Sequence, residues 1–254
     1  MNSSIAGIPK PSRRLGFLRF NGDVAVMGGL LMAAGGIFSG LTIALFELVD
    51  VRLYEYLGEY FFLWIIPGVP LAATWLVLAN PRLVSLVAPV IARVFTPAAL
   101  VMLTLYLVVI LIRIDTLFAD RDFLLTFNLV LLAVMALILF SVSELAGRTS
   151  GSVRFGTLVL LGLSIVTLLI NLVALWAIVI RIAEGGFTPN RMAVFGANVL
   201  LLVHLVRIGM SLLEAVRGGS NLDGVERRIA GYLPVYIIWL FVVIFGFPLV
   251  FGMG

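Results

Sequence analysis

The sequence predicts an all-α, polytopic membrane bundle of about seven transmembrane helices, with the N-terminus cytoplasmic and the C-terminus exported. Three observations predict it. Of 254 residues, 62% are hydrophobic and 12% charged, against roughly 45–50% and about 25% in soluble domains. The mean hydropathy is +1.20. The apolar residues fall into runs of about 20, the length a helix needs to cross the hydrocarbon core. A surface this apolar has hydrocarbon as its natural solvent.

Taken in order, residues 1–20 are expected to form a basic, poorly ordered cytoplasmic arm carrying Lys10, Arg13, Arg14 and Arg19. Residues 21–254 are expected to form one transmembrane helical domain. Its spans are expected near 24–49, 60–79, 97–112, 123–143, 155–180, 189–210 and 232–251. The segment 83–94 is too short to cross and is expected as an interfacial helix broken at Pro89. The first span is not read as a secretory signal, because its apolar run exceeds the roughly 7–15 residues of a signal core.

Basic residues set the orientation, since Lys and Arg favour the cytoplasmic side. With the N-terminus inside, that side holds the four arm residues with Arg82, Arg93, Arg148, Arg154, Arg207, Arg217, Arg227 and Arg228. The other side holds only Arg52, Arg113, Arg121, Arg181 and Arg191. The net charge of +4 is therefore read as helix ends meeting anionic headgroups, not as a nucleic-acid surface. The partners expected are the lipid bilayer and either a further copy of the chain or another membrane protein.

The chain has no cysteine and one histidine. That excludes disulfides, thiolate nucleophiles and Cys-ligated metals, and it rules out a multi-histidine site within one chain. No cofactor and no metal are expected. Phosphate-binding loops, a serine nucleophile elbow and HExxH are absent from the sequence, so no catalytic residue is assigned and the chain is read as not an enzyme. Asp115, Asp120 and Asp122 crowd one outer loop. Three carboxylates can hold a divalent cation, but a solvated loop is the preferred reading.

Within the spans, Gly36 and Gly40 form a GxxxG spacing, which lets another helix approach closely. Packing within the bundle is preferred here over a dimer face. Pro67 and Pro70 in the second span are expected to kink it. Phe95-Thr96-Pro97 and Phe187-Thr188-Pro189 each place a Thr before a Pro, the pattern of a capped helix start. Glu144 is expected to pair with Arg148, four residues on. Asn128, Asn171 and Asn198 are expected to be buried and bonded between helices.

The most unusual polar set is on the sixth span. His204, Arg207, Ser211 and Glu214 follow spacings of three and four that share one helix face. Either they line a polar pocket facing the bundle interior, or Arg207 and Glu214 already lie at the membrane interface. His204 is expected to face the interior with Arg207 and Ser211 on the same side, and with Asn171, Ser141, Ser143 or Glu144 as partners. Glu214 is expected beside Arg217.

Three patches carry a resemblance: Ile91-Ala92-Arg93-Val94-Phe95-Thr96-Pro97, Asp120-Arg121-Asp122-Phe123-Leu124-Leu125-Thr126-Phe127-Asn128, and Gly186-Phe187-Thr188-Pro189-Asn190-Arg191. Together they resemble a family of bacterial polytopic inner-membrane proteins known as a domain of unknown function. The resemblance implies a bacterial inner-membrane location and no particular activity. Members are often longer, with further spans ahead of this region, so the resemblance implies a short member or a partner that supplies the other half. Thr188 and Pro189 are expected to cap the sixth span on the exported face. Asn190 and Arg191 follow, with Arg191 at the headgroups or against the 115–122 loop.

Three functions remain compatible with the sequence. A non-enzymatic accessory, assembly or signalling component is preferred. A transporter or permease component for a small or lipidic molecule is the alternative; Pro67, Pro70 and the His204 face favour it, and the lack of mid-span carboxylates weighs against it. An enzyme acting on a lipid-linked substrate has only the acidic loop in its favour.

Overall fold

The computed structural model describes residues 11–57, 60–79, 87–112, 123–146, 152–218 and 222–252. In chain order the helices are α1 (Pro11–Glu47), α2 (Leu53–Leu57), α3 (Tyr60–Ala79), α4 (Val87–Ile112), α5 (Phe123–Ala146), α6 (Ser152–Gly185), α7 (Pro189–Val216), α8 (Leu222–Ala230), α9 (Leu233–Phe241) and α10 (Phe247–Phe251). A π-helical turn, Val242–Gly246, joins the last two. Among the described residues there is no strand.

Six stretches are long and apolar enough to cross a membrane: Gly16–Glu47, Val94–Ile112, Thr126–Leu145, Val153–Gly185, Pro189–Val216 and Gly224–Phe251. The expected second span corresponds to α3, whose apolar window Ile65–Ala79 is shorter. All-helical architecture and multiple membrane-length helices are thus established; the seventh crossing is not.

Several boundaries differ from expectation. Residues 11–20 are helical, because α1 begins at Pro11. Proline suits a first helical position, and the arginines that follow are good helix formers. Of the interfacial helix expected at 83–94, the described residues 87–94 are instead the start of α4, which runs on to Ile112. Pro89 falls in the first turn, where backbone N–H groups have no intrahelical partner to lose. Thr96 and Pro97 lie inside α4 and start no helix. Pro67 and Pro70, where a kink was expected, both lie inside α3, whose hydrogen-bonded range includes them.

The core lies among α4, α5, α6 and α7, closed by the end of α1 and by α8. Tyr106 of α4 sits at its centre, fully buried. Its ring meets Phe46 edge-on at 5.6 Å and Phe127 at 6.4 Å. Its hydroxyl has no hydrogen-bond partner among the described residues. A smaller apolar cluster joins Met27 and Leu31 of α1 to Ala73, Leu76 and Val77 of α3. Gly28 faces Val69 and Ala73 there, and Gly35 faces Phe95. Gly36 and Gly40 do not pack within the bundle: a Cβ at either would meet nothing within 4 Å. The helix rotates them outward while Gly28 and Gly35 take the inner face.

In hydrocarbon, apolar contact alone gives little reason for helices to associate. Close packing and interhelical hydrogen bonds do more. Asn198 of α7 supplies such a centre. Its Oδ1 accepts from Asn171 Nδ2 of α6 at 3.0 Å, and its Nδ2 donates to Asn128 Oδ1 of α5 and to the Val194 carbonyl. Asn171 and Asn198 are fully buried. Each such bond contributes about 0.6–2 kcal/mol. Thr96 and Ser141 tie α4 to α5 by their hydroxyls, so Thr96 links helices where the sequence suggested a cap.

Candidate functional site

The turn between α6 and α7 shows how the Gly186–Arg191 sequence works. Gly186 adopts φ +74°, and its N–H donates to the Ile182 carbonyl at 2.9 Å, which ends α6. Glycine takes this left-handed conformation without steric penalty. Phe187 is exposed. Thr188 then caps α7 from an extended conformation, its hydroxyl accepting from the Arg191 backbone N–H at 3.4 Å, with Pro189 in the first turn. The Arg191 guanidinium bends back over Gly185 and donates to the Gly186 carbonyl at 3.0 Å. Asn190 is exposed. The 115–122 loop, named as a possible partner of Arg191, lies outside the described residues, as does Arg148.

The face of α7 that carries the candidate polar set meets α8 and α9, which return antiparallel along it. His204 is fully buried and Ser211 nearly so. Arg207 and Glu214 are exposed. The spacing does give one face, but that face is wide, and its Arg207 edge lies outside the packed interior.

None of the partners expected for His204 is its partner here. Asn171 bonds Asn198, Ser141 bonds Thr96 and the Leu137 carbonyl, and Ser143 donates to Glu226 Oε1 at 2.9 Å. His204 Nδ1 lies 3.0 Å from the Tyr236 hydroxyl. Its ring sits 4.6 Å from that of Tyr232 and 5.7 Å from that of Tyr236. Nε2 is buried and has no hydrogen-bond partner among the described residues. Arg207 lies over the other side of the cluster, its guanidinium carbon 5.6 Å from the Tyr232 ring centre. Glu214 pairs with Arg228 of α8 at 2.7 Å, not with Arg217. The returning chain brings that arginine across more directly than the next helical turn does.

The same seam continues toward the start of α7. Trp239 of α9 lies over Gly196 so closely that a Cβ there would collide with its ring. Its indole N–H donates to the Ala193 carbonyl at 3.3 Å. The sequence reading missed Tyr232, Tyr236 and Trp239. Their spacing of four and three residues was the available signal: an aromatic stripe on one helix face.

No protein-family model, curated protein or solved structure matches the chain.

The site's chemistry therefore rests on its own geometry. The seam joins one imidazole, two phenols, an indole and a guanidinium, and it holds the last part of the chain onto α7. Among the described residues, no group of three or more His, Asp or Glu side chains is placed to hold a metal ion. Cavities among the described residues lie elsewhere. One, about 270 Å³, opens between α1, α4 and α5 and is walled by apolar side chains that include Ala33, Phe38, Phe95, Met102 and Val134. Another, also about 270 Å³, lies between α4, α5 and α6 and includes Thr96, Ser141 and Glu144 in its wall.

Proposed function

We propose that the protein is a non-enzymatic, multi-span component of a bacterial inner membrane that acts in accessory, assembly or signalling work through another membrane protein. The observation that carries this reading is how its intramembrane polar groups are used. Asn128, Asn171 and Asn198 bond one another, Thr96 bonds Ser141, and His204 faces Tyr236. Such pairs fix helices against helices. A transport route or a reaction centre instead directs such groups toward a cargo or a reacting atom. The Gly186–Arg191 turn and the two further patches that resemble the bacterial inner-membrane family support the location. The excess of arginine at one set of helix ends supports a cytoplasmic N-terminus, with seven crossings if α3 spans.

Photo-crosslinking in cells tests the role. A photoreactive residue at Phe245, exposed on the last helical segment, is expected to yield one discrete adduct with another membrane protein. Adducts with lipid alone would count against it. Reporter fusions at Gly254 and near Gly151 test the topology, and a cytoplasmic signal at Gly254 would reverse it.

One observation favours the second reading, a permease component for a lipidic molecule: the apolar cavity between α1, α4 and α5 has the wall chemistry of a hydrocarbon site. Movement of a fluorescent lipid across vesicles holding the purified protein would move the conclusion to that reading.

A further inference from the structure

Arg207 is the charged side chain placed deepest along α7. It precedes Glu214 by seven residues, a rise of about 10 Å, so it sits well inside the level of the Glu214–Arg228 pair. It is exposed on the outer surface of the bundle. Among the described residues its guanidinium donates to no acceptor; its one contact of this kind is the face of Tyr232 at 5.6 Å. Tyr232 is itself 8% exposed and packs against His204 with its ring tilted by 36°. The aromatic platform therefore holds the guanidinium at this depth instead of leaving it to extend toward the helix end.

A lipid-facing cation with five N–H donors and no acceptor calls for an anion that can reach it inside the bilayer. The surroundings favour one. Arg217, Arg227 and Arg228 flank the same end of α7 and α8. Of the carboxylates there, Glu214 is engaged by Arg228 and Glu226 by Ser143. Val203 and Val206, which precede Arg207 on α7 and so lie deeper, are exposed apolar side chains. They offer acyl chains a surface beneath a headgroup held at Arg207, which a free anion would not use.

We propose that this notch binds the phosphate of an anionic phospholipid, with Arg207 as its ligand and Tyr232 as the platform that positions the guanidinium. The planar guanidinium fork matches two phosphate oxygens, which a lysine cannot reproduce. The site goes beyond the accessory role above and does not depend on it.

Native mass spectrometry of the full chain in detergent, titrated with phosphatidylglycerol or phosphatidylcholine, tests the site. The wild type is expected to hold one phosphatidylglycerol more tightly than phosphatidylcholine. Arg207→Gln is expected to weaken phosphatidylglycerol binding about tenfold, Arg207→Lys less, and Arg217→Gln by less than about twofold. Equal losses in Arg207→Gln and Arg217→Gln would mean diffuse attraction and overturn the site. So would unchanged binding in Arg207→Gln. Millimolar inorganic phosphate should leave the bound lipid in place; its displacement would make this a free-anion site and overturn the lipid assignment. A photoreactive phosphatidylglycerol with the unaltered protein gives a check independent of variant folding. Label on peptides from α7 and the start of α9 supports the site, and label confined to other helices removes it.

Discussion

Two parts of this molecule meet the same bilayer with opposite strategies. The helix around Thr126–Leu145 buries 50% of its apolar window inside the protein, while Gly224–Phe251 buries 6%. The first is held from several sides, by Tyr106 against its own Phe127 and by the asparagine centre. The second packs on α5 and α7 through α8, but past Tyr232 it meets the bundle along α7, and α9, the π turn and α10 contain no buried residue. Both are long and apolar enough to span. Hydrophobicity therefore explains why both enter the membrane and not how either is attached. Attachment rests on a handful of polar and aromatic contacts, which makes it breakable one side chain at a time.

The largest effect is expected at the narrowest point of the seam. Gly196→Leu puts a side chain where the Trp239 ring lies, and overpacking of this kind costs about 1–3 kcal/mol or more. The returning segment should swing away while the asparagine centre survives. The chain has no cysteine, so a Glu214→Cys, Arg228→Cys pair reports docking cleanly. Bridging of the two thiols by a short bismaleimide should be efficient in the parent and strongly reduced with Gly196→Leu. Undiminished crosslinking would show that the seam does not depend on this contact.

Asn198→Ala attacks the other region. It removes bonds to Asn171 and Asn128 together, and each interhelical bond is worth about 0.6–2 kcal/mol. Thermal unfolding in detergent should shift downward by an amount corresponding to about 1–3 kcal/mol, with the cysteine crosslink unchanged. Loss of the crosslink instead would mean that the two regions are one cooperative unit.

Thr188→Ala should be milder, about 0.5–2 kcal/mol for a lost helix cap, and it should loosen the α6–α7 turn measured by amide exchange at Asn190 and Arg191. Protection unchanged there would assign the ordering of the turn to Gly186 and Arg191 alone. The smallest effect is expected for Glu214→Gln. The pair with Arg228 is 54% exposed on both sides, and exposed ion pairs contribute about 0–1 kcal/mol. A larger loss would show that this end of the seam is shielded from water.

Much of this division was legible in the sequence. Apolar run length located the membrane helices, and the Thr-Pro signal placed the start of α7 at its observed residue, because both depend on local chemistry. The Thr96-Pro97 copy of that signal failed. There the chain before it, from Val87, already satisfied the helix, so the threonine hydroxyl was available to Ser141. The asparagines were legible as interhelical bonds because a buried amide in hydrocarbon has little other choice. The partners of His204 were not. They lie 28 and 32 residues downstream, at Tyr232 and Tyr236, and which helix returns along which face is decided by the whole packing. For the same reason the spacing placed Arg207 on the right face but could not tell where that face stops being interior.

The π turn at Val242–Gly246 gives the end of the chain a property of its own. A π turn carries i→i+5 bonds in place of i→i+4, so it holds extra backbone relative to the helix on either side. Each residue of an α-helix turns its successor by about 100°. Loss of a single residue within this turn would let ordinary helix close across it and would leave the bearing of everything beyond, including the Phe247–Phe251 ring pair at 5.5 Å, nearly as it is, whereas the same loss in the helix on either side would rotate it by about that angle. The docked portion around Trp239 would keep its place. The tip is in this sense spliced with slack: the turn can give up one residue without changing where the end of the chain points.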